Sequence, residues 1–409
     1  MSAGLRAEAR RLGPAFDLLA TYNGPADFFF ERSGVGVSAA GVAFGVSAPL
    51  HELADATADA LAAVEADPQG PSPVAVGALP FDPRAMGSLV IPARATGRNL
   101  SGAWELEVTG GREPAPAPSA ARWAGRATPH QAFGALQLVE QPPASDYAGL
   151  VEAARTRIRA GALDKVVLAR TLDVDAGRAL DPKQLLWRLR AVEPDGYAFA
   201  APTPTGALVG ASPELLAQVS GRTLTLNPLA GSAPRHGDPE ADRAAADQLF
   251  RSDKDRHEHD VVVRAVVAAL APLCDELEHP DQPVLHATAN VWHLATPFSG
   301  TLRADVRSVL TVVAALHPTP AVGGHPAAAA LATLHELEPF DRGSYAGPVG
   351  WVDADGGGVW AIALRCAELT GEHARLFAGA GIVAESDPAS EVEETAGKFR
   401  AFLDSLRWG

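Results

Sequence analysis

Two pairs of carboxylates are the first chemistry legible in this chain. In SDKDRHEHD (residues 252–260), Asp255 and Glu258 stand three apart, and in SEVEETAGKF (390–399) Glu391 and Glu394 repeat that spacing. Residues three apart share a helix face. Brought together, two such pairs make an oxygen-rich site for a hard cation such as Mg²⁺, which takes one or two carboxylates, keeps waters and completes its shell with substrate oxygens. Taken separately, each pair is a solvated acidic helix start, favoured by the helix dipole.

Two single residues invite acid–base chemistry. Lys165, in DKVVLAR, stands in an apolar strand, so it is either at an edge in solvent or held in a cleft where desolvation frees a lone pair for a base. Glu214, in GASPELLAQVSG, interrupts a strand-like region beside a Ser-Pro turn, as a turn residue or as an acid kept protonated by a dry setting. His317, in ALHPTPAVGG, follows a helix in a Pro- and Gly-rich loop, where it either faces a cleft or takes an ordinary core or surface place. His257 and His259 are two apart, on roughly opposite helix faces, and neither belongs to an HExxH pattern, which disfavours zinc. GAGIVA (379–384) has the letters of a dinucleotide fingerprint, but SDP at 386–388 interrupts helix entry and only 25 residues follow Ala384. That is too short for the rest of a βαβ unit. Glycines here better serve to let backbone N–H groups approach an anion such as a carboxylate.

The elements that must position these residues show in the periodicity. The first third alternates like sheet (ADFFFERSGVGVSAAGVAFGV, VAVGALPFD, SLVIPA, AWELEVTG), with a helix at ELADATADALAAVEAD. Residues 109–129 are rich in Pro, Ala and Gly and read as a linker. From 145 onward SDYAGLVEAARTRIRAGAL reads as a capped helix, DKVVLARTLDVD as a strand and PKQLLWRLRAV as a helix, followed by strands at GYAFAAP, ALVGAS, LLAQVSG and TLTLNPL. Helices are expected at 239–250, about 255–277, 304–316, 325–337 and 388–406. GPVGWVDADGGGVWAIALRCAEL reads as a hairpin with a Gly-rich turn and ARLFAGAGIVAE as a further strand. Hairpins outnumber helix-crossed strands, which predicts an α+β domain with largely antiparallel sheets.

The totals bound the function. A chain of 409 residues, 47% hydrophobic and 20% charged, has globular composition. A net charge of -15 argues against a nucleic-acid or anionic-membrane surface, which needs a clustered basic face. Cys274 and Cys366 lack metal-ligand spacing and read as free thiols of a reducing compartment. The amino terminus lacks the apolar core of a signal peptide, and no stretch reaches a membrane span. The expectation is a soluble, cytoplasmic protein.

In series, KVVLAR, GASPELL, NPLAGSAPR, SDKDRHEH, VWHLATPFSG, ALHPTPAVGG, ELEPFDRGSYAGPVGW, ALRCAEL, FAGAGIVAESDP and EVEETAGK resemble the chorismate-utilising enzymes, in the order that family has them. The resemblance is dense over 145–406 and loose over 1–140. It implies one chorismate-binding domain over 1–409, with two large packed antiparallel sheets flanked by helices. It further implies that Glu258 and Glu394 ligate Mg²⁺ directly and that Asp255 and Glu391 act through water, Asp255 being shorter than the Glu some members carry. Arg365, Tyr345 and the backbone of Gly379, Ala380 and Gly381 match the family's cradle for the enolpyruvyl carboxylate of chorismate. Gly231, Ser232 and Lys398 match positions lining the same cleft, and His317 is assigned to substrate as well.

Lys165 discriminates within the family. Members that use ammonia usually carry Gln there, whereas isochorismate and salicylate synthases have a lysine that activates water. Aminodeoxychorismate synthases also tend to carry a lysine where this chain has Ala230. The resemblance thus implies an isochorismate synthase, an isomerase with Lys165 as base and Glu214 as acid, feeding menaquinone or siderophore biosynthesis and working as a monomer. The alternative is a salicylate synthase, which performs the same step and then eliminates pyruvate.

Overall fold

The computed structural model describes residues 4–13, 16–99, 102–110 and 136–407. From residue 111 onward, the expected linker lies outside them. The described strands form sheets of 13, nine and three strands. Their pairings are antiparallel except that of Leu5–Leu12 with Val64–Glu65, which is parallel.

Strand periodicity explains how the two large sheets layer. Successive side chains on a strand point to opposite faces, and the FFF run uses both. Phe28 and Phe30 join a buried cluster between the large sheets that includes Val76, Leu224 and Trp360 of the second sheet. Phe29 faces the other way, into a cluster with Leu185 and Leu189 of helix Pro182–Val192 and Phe402 and Leu406 of helix Pro388–Arg407. Strand Lys165–Asp175 is buried along nearly its whole length, hence its near-continuous apolar sequence. Both large sheets mix early and late parts of the chain: Phe29 pairs with Ala200 in one, and Val76 with Trp351 in the other.

The chain passes between the two large sheets at points that matter for chemistry. Strand Ala207–Ser212 belongs to the 13-stranded sheet and Leu215–Ser220 to the nine-stranded one, so Pro213 and Glu214 make the crossing. Strands Gly358–Ile362 and Cys366–Thr370 lie in opposite sheets as well, and residues 363–365 make that crossing. The crossings are tied together: the Ile362 amide donates to the Glu214 carbonyl at 3.1 Å and the Ala211 amide to the Arg365 carbonyl at 3.3 Å.

Several expected elements shift. The helix expected over about 255–277 spans Asp253–Leu270, and Cys274–Glu278 is a strand beside Phe298–Leu302. Pro272 interrupts the apolar run there and the chain turns back to the sheet edge. The helix expected over 304–316 is Val309–Leu316, because the Ser308 hydroxyl caps it by accepting from the Leu310 amide. Helix Ala327–Leu337 starts two residues late, since His325 pairs with Lys165 as a short strand. In the expected hairpin, Pro348–Asp353 does pair with Gly358–Ile362, but the following residues cross to the other sheet. Cys274 and Cys366 are free. No described helix is long and apolar enough to cross a membrane.

Candidate active site

The charged head of SDKDRHEHD is a cap followed by a delivery turn. The Ser252 hydroxyl accepts from the Asp255 amide at 3.2 Å, which satisfies an orphan donor of the first turn. One turn on, Glu258 is buried, while Val261, Val262, Val266 and Leu270 fix the helix in the core. His259 Nδ1 donates to the Ala230 carbonyl at 3.2 Å and its Nε2 accepts from the Thr296 hydroxyl at 2.7 Å. Burial lowers its pKa to about 4. His259 is therefore a neutral brace, not a metal ligand.

Glu258 faces a cleft of about 620 Å³, its mouth included. Glu394 and Lys398, from helix Pro388–Arg407, line it as well, with Gly231 and Ser232 on one side and Gly379 and Gly381 on another. Glu214, Tyr345 and Arg365 complete the set. Ten residues singled out in the sequence therefore share one cavity wall.

Its carboxylates are matched by ammonium groups. Lys165 is wholly buried behind Glu258, its Nζ 2.9 Å from Glu258 Oε1. Lys398 Nζ donates to Glu394 Oε1 at 2.6 Å and to the Gly379 carbonyl at 2.8 Å. Lys254 Nζ donates to Glu391 Oε1 at 2.8 Å. Burial raises the Glu391 carboxyl, and the charge of Glu394 adds to this. Burial would raise Glu394 too, but the Lys398 charge and hydrogen bond bring it below its ordinary value. Burial also raises Asp255.

Among the described residues, no three acidic, histidine or cysteine side chains converge closely enough to enclose a cation. Two carboxylates on one cleft, each charge-compensated by a lysine, still fit Mg²⁺, which needs few protein ligands. Glu258 and Glu394 fit as that pair. Asp255 and Glu391 do not line the cleft, and each lies one turn from its partner on the same helix.

Glu214 sits on the first sheet crossing and is 3% exposed. Its Oε1 accepts from the Leu229 amide at 3.4 Å. Burial pushes its pKa up to about 7, against the pull of that amide and of Lys165. A substantial share of the side chain is thus the carboxylic acid near neutral pH.

Arg365 ends the second crossing with φ 49°, and Ala346, also on the cleft, has φ 61°. Left-handed backbone at non-glycine residues costs energy and persists where the surroundings impose it, often at functional sites. No carboxylate among the described residues makes an ion pair with Arg365. Its Nη2 lies 3.5 Å from His293 Nε2, and burial together with the Arg365 charge holds His293 well below its usual pKa. A fork of N–H groups without a carboxylate partner suits a bidentate anion. Tyr345 stacks on Phe377, ring centroids 4.8 Å apart and 11° from parallel.

Lys165, like Asp255 and Glu391, is not on the cleft wall itself and reaches it through Glu258, and two further assignments, His317 and Ala380, lie away from it. His317 is buried elsewhere: its Nε2 donates to the Phe81 carbonyl at 2.9 Å, its ring meets Phe81 edge-on, and burial lowers its pKa to about 4. Of its sequence readings, the core one describes this position. Ala380 points to the strand face opposite Gly379 and Gly381, into the core. Conversely, His293 lines the cleft without having been singled out. Its signal was a polar residue at an inward position of the alternating strand VWHLA, between buried Val291 and Ala295.

Comparison with known proteins decides the family. Residues 120–407 match the model of the chorismate binding enzyme family. The chain belongs to the chorismate-binding enzymes. It is 40% identical over 334 residues to the isochorismate synthase EntC of Escherichia coli, covering 81% of each chain. It is 39% identical over 347 residues to the isochorismate synthase DhbC of Bacillus subtilis, covering 82% of this chain and 81% of that one. A crystal structure from Bacillus anthracis, provisionally assigned as a 2,3-dihydroxybenzoate-specific isochorismate synthase, superposes with TM-score 0.83 at 35% identity, covering 96% of this chain and 99% of that one. This family member thus has the expected α+β architecture of large antiparallel-rich sheets with helices.

Proposed function

We propose that the chain is an isochorismate synthase working as one chorismate-binding domain. The observation that carries the reading is a pair of buried groups at one cleft, Lys165 behind Glu258 and Glu214 with its pKa lifted to about 7. A hydroxyl exchange needs both a base and an acid. Once its ammonium has lost a proton, Lys165 takes one from water as that water's oxygen bonds to C2 of chorismate. The ring double bond shifts, the C4–O bond breaks, and Glu214 protonates the departing hydroxyl so that it leaves as water. One water enters and one leaves, so the product is an isomer of the substrate. General acid and general base each contribute roughly 10² to 10⁴ in rate.

Arg365, with Tyr345 and the Gly379 and Gly381 backbone, holds the enolpyruvyl carboxylate. Gly231, Ser232 and Lys398 line the same cleft. Glu258 and Glu394 would hold Mg²⁺, with Asp255 and Glu391 acting through water. When bound, the cation neutralises the ring carboxylate. We place the enzyme in the cytoplasm as a monomer, its product available to menaquinone or siderophore biosynthesis.

Chromatographic analysis of the product after incubation with chorismate and Mg²⁺, with chelator-treated and ammonium-supplemented parallels, tests this. Isochorismate that approaches a fixed ratio with chorismate and disappears with chelator is the expected result. Accumulating salicylate and pyruvate would make it a salicylate synthase, and an amino product would overturn the assignment of Lys165 to water.

A further inference from the structure

Arg170 is the last residue of KVVLAR, five positions from Lys165 on the same strand and only 1% exposed. Its Nε donates to the Thr395 hydroxyl at 2.9 Å, its Nη2 to the Val392 carbonyl at 3.3 Å and its Nη1 to Glu140 Oε2 at 2.9 Å. The guanidinium also lies over the rings of Tyr147 and Phe399, at 5.6 and 5.4 Å. Thr395 follows Glu394 directly, and its hydroxyl donates back to the Glu391 and Val392 carbonyls. The arginine therefore grips helix Pro388–Arg407 within the turn that carries both acidic residues. A helix turns 100° per residue, so a small rotation about this axis would swing Glu394 off the cleft. The mechanism uses none of these contacts.

We propose that Arg170 is a positioning residue: through Thr395 it fixes the rotation of the acidic helix, and so sets where Glu394 is offered to a divalent cation. This rests on the reading of Glu394 as a ligand in an isochorismate synthase. Partners that orient metal ligands typically alter metal affinity by 10–100-fold when removed.

The test is calorimetric titration of Mg²⁺ alone into the full chain, as wild type, Arg170→Lys and Thr395→Val, with thermal melts to verify folding. Thr395→Val keeps the packing and removes the acceptor of Arg170 Nε, so it carries the test should Arg170→Lys not fold. The expected result is a rise in the Mg²⁺ Kd of about tenfold in either variant, and no further rise when either is combined with Glu394→Gln. A Kd within twofold of wild type in the folded variants overturns the proposal, as does an equal weakening with and without Glu394. Wild type that binds no Mg²⁺ overturns it too. Wild type that binds Mg²⁺ but makes no isochorismate overturns the functional reading and leaves the positioning role standing.

Discussion

Gly381→Ala would probe the cleft with a single methyl group. Gly381 pairs with Val167 within the sheet and has no left-handed backbone, so alanine fits its conformation. Its Cβ, however, would lie 2.1 Å from Glu258 Oε1, 2.9 Å from Glu258 Cδ and 3.1 Å from Lys165 Cε. To regain ordinary van der Waals separation the carboxylate must retreat by about 1.3 Å, which changes its placement against the lysine it now meets at 2.9 Å. Displacements near 1 Å cost on the order of 10²-fold when they misplace reacting groups, which corresponds to about 2.7 kcal/mol of transition-state stabilisation. The three nearest atoms all belong to side chains, so the melting temperature should move by only a few degrees. The assay is the initial rate of isochorismate formation at saturating Mg²⁺, beside a thermal melt. A kcat/KM within threefold of wild type would refute the argument, because Glu258 and Lys165 would then not need their present positions.

Four further outcomes are expected. Lys165→Ala should lower kcat by roughly 10²- to 10⁴-fold while calorimetry still detects chorismate binding; a near-normal rate would remove Lys165 as the base. Glu214 acts in its protonated form with a pKa near 7, so kcat should fall as pH rises through about 7, and Glu214→Gln should be slow at every pH. The same shift governs stability: this folded-state pKa is above the ordinary 4.5, so between those values the folded state binds more protons than the unfolded one, and stability falls as pH rises. At pH 8 Glu214→Gln should therefore melt higher than wild type, and an unchanged melting curve would contradict the burial argument. Gly149→Ala, mid-helix in Ala144–Arg159 with nothing near its added Cβ, should stabilise the protein by roughly 0.5–1 kcal/mol without changing the rate; a lowered denaturation midpoint would count against the described helix.

Much of this architecture was legible because period and composition agreed. Helix Pro388–Arg407 and strand Lys165–Asp175 lie close to where periodicity put them, since their apolar spacing is strong. What misled was local ambiguity. CDELE continued an apolar helical run and became a strand because the neighbour at Phe298–Leu302 offered it a ladder. For the site, residue type proved informative where a group was costly to bury: Lys165, Glu214 and Glu258 are all buried charges or acids. His317 has equally polar chemistry, yet its Nε2 finds a carbonyl partner away from the cleft. His293 escaped notice because its partner, Arg365, is far away in sequence and comes near only when the sheets assemble.

The two crossings have a consequence for how such a site can change. The acid Glu214 and the anion fork Arg365 hang on segments that lend each other backbone hydrogen bonds, 3.1 and 3.3 Å long, and each segment is pinned at both ends in a different sheet. An inserted or deleted residue in either would throw a strand out of register and drag the other segment with it. The distance between proton donor and carboxylate anchor is thus set by the whole sandwich, like the gap between two rails bolted to common sleepers. New substrates would have to be reached by trading side chains along the cleft, because its backbone has no slack to give.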